Sequence, residues 1–263
     1  MTMHLLELTI LTLIVHLIDT LAYSVRLNSV KNGKFALSIS LFNIFVLVSR
    51  TANMFQAPLI GGLIGISILK HQDPLSDIRM VILSATIGTI VGIVLIPTFL
   101  KLFSKAVDQL EVRGSVPSII VEALSINNIK RIVKSTTRPR KNMMTRLRFR
   151  EIPKRFLLLN TMITAIYTIG VIAAYYAAFF VDEKFRLAAS ASSGMINGIA
   201  TILLTLLVDP QSAIITYQAL RGKRPYGDVK ALVIMLIGTK LIGTLLGQIL
   251  IYPAARMIAF FYS

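Results

Sequence analysis

The chain has 263 residues, of which 55% are hydrophobic and 15% charged, with a mean hydropathy of +0.73 and a formal charge of +16. Soluble domains carry roughly a quarter charged residues, and a body of this size has too little interior to hide so much apolar surface. A soluble globule is thereby excluded. The wealth of Leu, Ile and Val excludes a disordered chain, and the absence of cysteine excludes a disulfide scaffold, which leaves an integral membrane protein.

A helix crossing a hydrocarbon core of about 30 Å needs roughly 20 mostly apolar residues. Met1 to Glu7 lacks a basic start, and the apolar run that follows carries His16 and Asp19, so it is expected to stay as a span rather than be cleaved as a signal. In chain order the spans are Leu5 to Ser24, Phe35 to Ala57, Met80 to Leu100, Phe156 to Val181, Leu187 to Val208 and Val229 to Tyr252. This predicts an all-α membrane protein of six transmembrane helices. The second and fifth runs continue past Pro58 and Pro210, and each is expected to break at its proline. The pieces left over, 59–69 and 211–220, are too short to cross and fit re-entrant or interfacial segments.

Lys and Arg favour cytoplasmic loops, so their distribution sets orientation. Lys101 to Arg155 holds 14 basic and 4 acidic residues, Ser24 to Lys34 holds 3 basic residues, and Arg221 to Lys230 holds 4 against Asp228, together 21 of the 28 in the chain. Six crossings put these three loops on one side, which makes that side cytoplasmic and both termini external. The chain thus divides into a first membrane unit over 1–100, a basic cytoplasmic loop over 101–155 and a second membrane unit over 156–263. In the loop, Ile119, Ile120, Ala123, Leu124 and Val133 recur at near-helical spacing between Pro117 and Lys134, and 11 basic residues follow from Lys130 to Arg155. This predicts a basic amphipathic helix on anionic membrane lipids. Nucleic acid is not expected as a partner, since that segment offers Phe149 alone for base stacking.

Ile87 to Ile96 reads IGTIVGIVLI and Ile242 to Ile251 reads IGTLLGQILI, each followed by a proline, Pro97 and Pro253. Similar offsets relate Leu21-Ala22-Tyr23 to Ala173-Ala174-Tyr175, Pro58 to Pro210, and Asp77-Ile78-Arg79 to Asp228-Val229-Lys230. With three spans per repeat, the second enters the membrane from the opposite face. Such inverted three-helix repeats characterise transporters, with the site at their interface and broken helices beside it.

Charged groups inside spans cost about 2.5 to 3.5 kcal/mol each at a helix centre, so they face protein or water. Thr9, Thr12, His16, Asp19, Thr20 and Tyr23 share one face of the first span; Asn43, Arg50 and Asn53 share a face of the second; Asp209 ends the fifth, and Lys240 sits mid-way along the sixth beside Gly243 and Gly247. Arg offers a planar fork suited to phosphate and Lys a point charge, so two intramembrane cations suit an anionic cargo. Candidate substrate contacts are Arg50, Lys240, Asn43, Asn53 and Gln56. His16, Asp19 and Asp209 are candidates for charge pairing or proton coupling, with structural ion pairing of either carboxylate to Arg50 or Lys240 as the plainer reading.

The chain has no phosphate-binding loop, no H-E-x-x-H and no nucleophile elbow, so an enzyme is not expected, nor are a metal or other cofactor. The pairs Gly88/Gly92, Gly194/Gly198 and Gly243/Gly247 read as helix-packing signals. The stretch SLFNIFVLVSRTANMFQAPLIG from Ser40 to Gly61, with HLIDTLAYSVRL from His16 to Leu27, resembles the Amj family of bacterial lipid II flippases. The resemblance implies translocation of the undecaprenyl-pyrophosphate peptidoglycan precursor, lipid II, from the inner to the outer leaflet of the bacterial cell membrane; it implies no particular binding residues. A secondary transporter or channel for another small anion, or a membrane-embedded scaffold or enzyme of envelope synthesis, remains the alternative on the residues alone. Oligomeric state and energy coupling are not written in the sequence.

Overall fold

A computed structural model of the chain describes residues 3–114, 147–149 and 152–262. The amphipathic helix expected from Pro117 to Lys134 lies outside the described residues. Among those described, the regular elements are helical: α1 (Met3–Asn32), α2 (Phe35–Met54), α3 (Gln56–Leu69), α4 (Leu75–Arg113), α5 (Lys154–Ala177), α6 (Arg186–Leu203), α7 (Asp209–Leu220) and α8 (Tyr226–Phe260). They form six runs long and apolar enough to cross a membrane, with α2 and α3 in one and α6 and α7 in another.

Several helices outrun the hydrocarbon. The 30 residues of α1 and 39 of α4 measure about 45 and 59 Å at 1.5 Å per residue. Both project at the end that carries the basic loops. Arg26, counted in a loop from sequence, therefore belongs to α1, which turns into α2 at Gly33, where φ is 70° and a side chain would be strained.

The interruptions of the second and fifth runs fall upstream of their prolines. The second is interrupted at Phe55, between α2 and α3, and the fifth contains a π-helical turn over Leu204–Val208. Proline at position i supplies no N–H to the carbonyl at i−4 and crowds it, so Pro58 disturbs the turn at Met54 and Pro210 the turn at Leu206. Residues 59–69 and 211–220, which the sequence suggested as re-entrant or interfacial, continue the helical runs as parts of α3 and α7.

Packing follows the same scheme in each half. The first helix packs most extensively on the third (α1 on α4, α5 on α8), while α2 lies against α1 and α6 against α5. Gly88 and Gly92 face the backbone of α1 at Leu13 and Leu17, and Gly243 and Gly247 face α5 at Thr161 and Ile169. The two similar decapeptides thus seat their helices by the same close approach. Gly194 and Gly198 meet nothing within 4 Å, so this third pair is not a packing contact within the described residues.

The apolar core forks. Away from the basic loops, one cluster joins both halves, with Leu8, Ile60, Leu63 and Ile82 against Ile172 and Tyr176. Towards the basic loops it divides into a cluster of the first half around Val25, Leu41, Phe99 and Phe103, and one of the second around Phe156, Val208, Leu232 and Leu236. A cavity occupies the fork.

Candidate functional site

The cavity has a volume of about 290 Å³ and is walled by α1, α2, α5, α6, the π-turn, the start of α7 and α8. Its lining residues come from the middle of these runs, with Tyr23 and Asp209 towards the basic loops, and the joint apolar cluster with the Gln56–Thr12 hydrogen bond (3.0 Å) closes the other side. The cavity therefore faces the basic end. The runs containing α2 and α6 are the two least buried of the six, and these helices make no extensive contact with each other. Phe35 of α2 and Tyr217 of α7 meet edge-on at 6.2 Å near the basic end, which bounds the opening between the two runs.

His16, Asp19, Asn43, Arg50, Asp209 and Lys240 all line this cavity. Six residues spread over 225 positions are thereby brought into one space. Asn53 and Gln56 are not among its lining; Gln56 is buried and donates to Thr12 Oγ1.

Among the described residues, the charges divide into two pairs and one cation without a carboxylate partner. Lys240, with a side chain 3% exposed, places Nζ 3.5 Å from Asp19, which also accepts a short hydrogen bond from Ser49 Oγ. Arg26 places a terminal nitrogen 3.2 Å from Asp209, with its guanidinium 5.7 Å from the Tyr23 ring and 5.3 Å from that of Phe42. Tyr23 sits between the two cations, since Lys240 Nζ lies 5.9 Å from the same ring, and its hydroxyl donates to Asn160 Oδ1 at 3.2 Å. Asn160 in turn donates to Thr239 Oγ1 at 2.7 Å, which ties α1, α5 and α8 together at the cavity wall. Among the described residues Arg50 has no carboxylate partner. Its guanidinium is the uncompensated charge of the space.

His16 is 2% exposed and its Nδ1 has no hydrogen-bond partner among the described residues. No group of three or more His, Cys, Asp or Glu side chains fit to hold a metal ion occurs among them either.

The π-turn decides which residues of the fifth run reach the cavity. At 100° per residue an uninterrupted α-helix would put Ala200 and Asp209 on opposite faces, about 180° apart. Both line the cavity because the wider turn at Leu204–Val208 takes up the difference. Sequence reasoning missed Arg26, which looked like a loop cation and pairs with the lining residue Asp209, and Tyr167, Thr164, Thr201 and Thr205, which line the space. Polar residues at four-residue spacing in α6 were the available signal.

The profile of the Amj family, described as "Alternate to MurJ", matches residues 11–262. The lipid II flippase Amj of Bacillus subtilis (strain 168) is 38% identical over 254 residues, which cover 94% of this chain and 92% of that protein. No solved structure matches. A profile match over nearly the whole length, with a relative this similar end to end, shows that the chain belongs to the Amj family.

Proposed function

We propose that this chain is a lipid II flippase, carrying the undecaprenyl-pyrophosphate-linked precursor from the inner to the outer leaflet of the bacterial cell membrane. The observation that carries this reading beyond family membership is the unpaired Arg50 in a polar cavity that already holds the Lys240–Asp19 pair. Arg50 is half-buried, an unpaired guanidinium is costly away from water, and a diphosphate relieves that cost through two charge-assisted hydrogen bonds. Lys240 then adds a point charge as Asp19 is displaced from it. Asn43 supplies a neutral contact on the same face of α2.

A volume of about 290 Å³ lies at the lower end of small-molecule sites. It suits the diphosphate and the first part of the head, while the loose packing between α2 and α6 leaves the polyprenyl tail a route through lipid. Basic loops on the cytoplasmic side, with both termini external, make the state described inward-facing. The related decapeptides and matched packing of the two halves support an inverted repeat, and rocking the halves about their shared apolar cluster would reverse access. The basic segment of the 101–155 loop serves to hold anionic lipids near the mouth.

The test is leaflet translocation of lipid II by purified protein in liposomes, scored by accessibility of the head to an external modifying enzyme. Translocation absent in protein-containing vesicles, with correctly folded and inserted protein, would overturn the proposal. Passage of small inorganic anions without lipid translocation would favour a channel instead.

A further inference from the structure

The cavity ends at Ala200 and Thr201, but the polar face of α6 does not. Arg186, Ser190, Ser193 and Asn197 lie above it towards the end opposite the basic loops. At 100° per residue these four fall within about 60° of one another, in line with Thr201 below them. Several hydroxyls elsewhere in the spans are tied back to their own helix: Thr12, Thr20, Thr168 and Thr216 each donate to the carbonyl four residues earlier at 2.6 to 2.7 Å. That is the usual way a hydroxyl is satisfied away from water. Among the described residues, none of the four side chains on this face of α6 makes a hydrogen bond or ion pair, whereas neighbouring Ser192 donates to the Ala189 carbonyl at 2.6 Å.

Two of the four hold fully buried polar atoms without partners. Arg186 Nε and Asn197 Oδ1 are both in this condition, and Asn197 is admitted against α5 because Gly170 has no side chain there. A buried donor or acceptor left unsatisfied is destabilising, and two such atoms on one face point to another state in which they are bonded.

We infer that Arg186, Ser190, Ser193 and Asn197 form the second half of the translocation path, closed against α5 in the state described and opened when access reverses. This rests on the transport reading above. The chemistry of the track differs from that of the cavity: one cation at its far end and three neutral groups suit the hydroxyls and amides of a glycan or peptide head, while Arg50 and Lys240 suit its diphosphate. Asn197, next to Thr201, is the first group such a head meets on leaving the cavity.

Two measurements test this. In liposomes, translocation of lipid II is compared with that of undecaprenyl pyrophosphate lacking the glycan. Asn197→Leu should slow the former by about tenfold, the equivalent of one lost hydrogen bond at about 1.4 kcal/mol, and leave the latter within about twofold. An equal loss for both, or no loss for either, would overturn the assignment. The second measurement needs no transport substrate: Ser193→Cys, Asn197→Cys and, as a lipid-facing control, Ile199→Cys (55% exposed in the native chain) are exposed to an impermeant maleimide added at the face opposite the basic loops. The first two should be labelled and the control spared. Labelling of none, or of all three alike, would remove the track, and because this readout does not depend on the cargo it separates failure of the track from failure of the lipid II assignment.

Discussion

Arg26 and Asp209 stand 183 residues apart in sequence and meet at 3.2 Å beside the cavity. Their burial is unequal: the Arg26 side chain is 8% exposed and that of Asp209 35%. Breaking the pair therefore strands a buried cation or a half-hydrated anion, depending on which member is lost. Asp209→Asn should lower stability by about 3 kcal/mol, at the low end for a broken buried pair, and Arg26→Leu by clearly less. Thermal unfolding of the two variants in detergent checks the order, and an equal or reversed order would show that Arg26 is hydrated in the membrane.

The Lys240–Asp19 pair is the place where structural and substrate roles of a cation separate. Lys240→Met strands Asp19, and Asp19→Asn strands a lysine with a side chain only 3% exposed, so the second single variant should lose more abundance. The double variant should recover abundance but not translocation. Recovery of both would make Lys240 a structural cation only.

Arg50 has no carboxylate to lose among the described residues, so removing its charge should not destabilise the fold. Arg50→Gln is expected at normal abundance with translocation reduced at least about tenfold, and Arg50→Lys should recover only part of it because the fork is lost. Full activity of Arg50→Gln would take Arg50 out of the site.

The glycine pairs make opposite predictions. A Cβ at Gly88 or Gly243 meets the facing backbone, so Gly88→Val and Gly243→Val should each cost about 1 to 3 kcal/mol through forced separation of helices. Gly194→Ala and Gly198→Ala meet open space and should be neutral or stabilising by up to about 1 kcal/mol, the helix preference of alanine. Melting of all four in one detergent provides the comparison, with destabilisation by the alanines pointing to a partner for α6.

Orientation is testable without first removing native thiols, since the chain has no cysteine. In intact cells an impermeant maleimide should label Ser76→Cys, exposed in the first turn of α4 at the end opposite the basic loops, and spare Ser135→Cys in the basic loop. The reverse pattern would invert the topology and with it the direction of transport.

By itself the sequence determined the solvent, the number of crossings and the residues that do not belong in lipid. These follow from local quantities: run length against bilayer thickness, the cost of a buried charge, and the spacing of side chains around one helix. His16, Asp19, Arg50 and Lys240 were visible on that ground, and so was the packing role of Gly88/Gly92 and Gly243/Gly247. Tertiary structure decided which charges pair. Asp209 takes Arg26 rather than Arg50 or Lys240, because α1 continues to Asn32 and carries Arg26 inward, while the π-turn ahead of Pro210 turns Asp209 onto the cavity face. Gln56 shares the stretch from Ser40 to Gly61 with Arg50 yet bonds Thr12 in the core, since the interruption at Phe55 lies between them. Pairing between distant helices depends on where each helix starts, ends and loses a turn, and neither composition nor periodicity contains those positions; the forked core that leaves Arg50 unpaired in a cavity exists only once all the helices are packed.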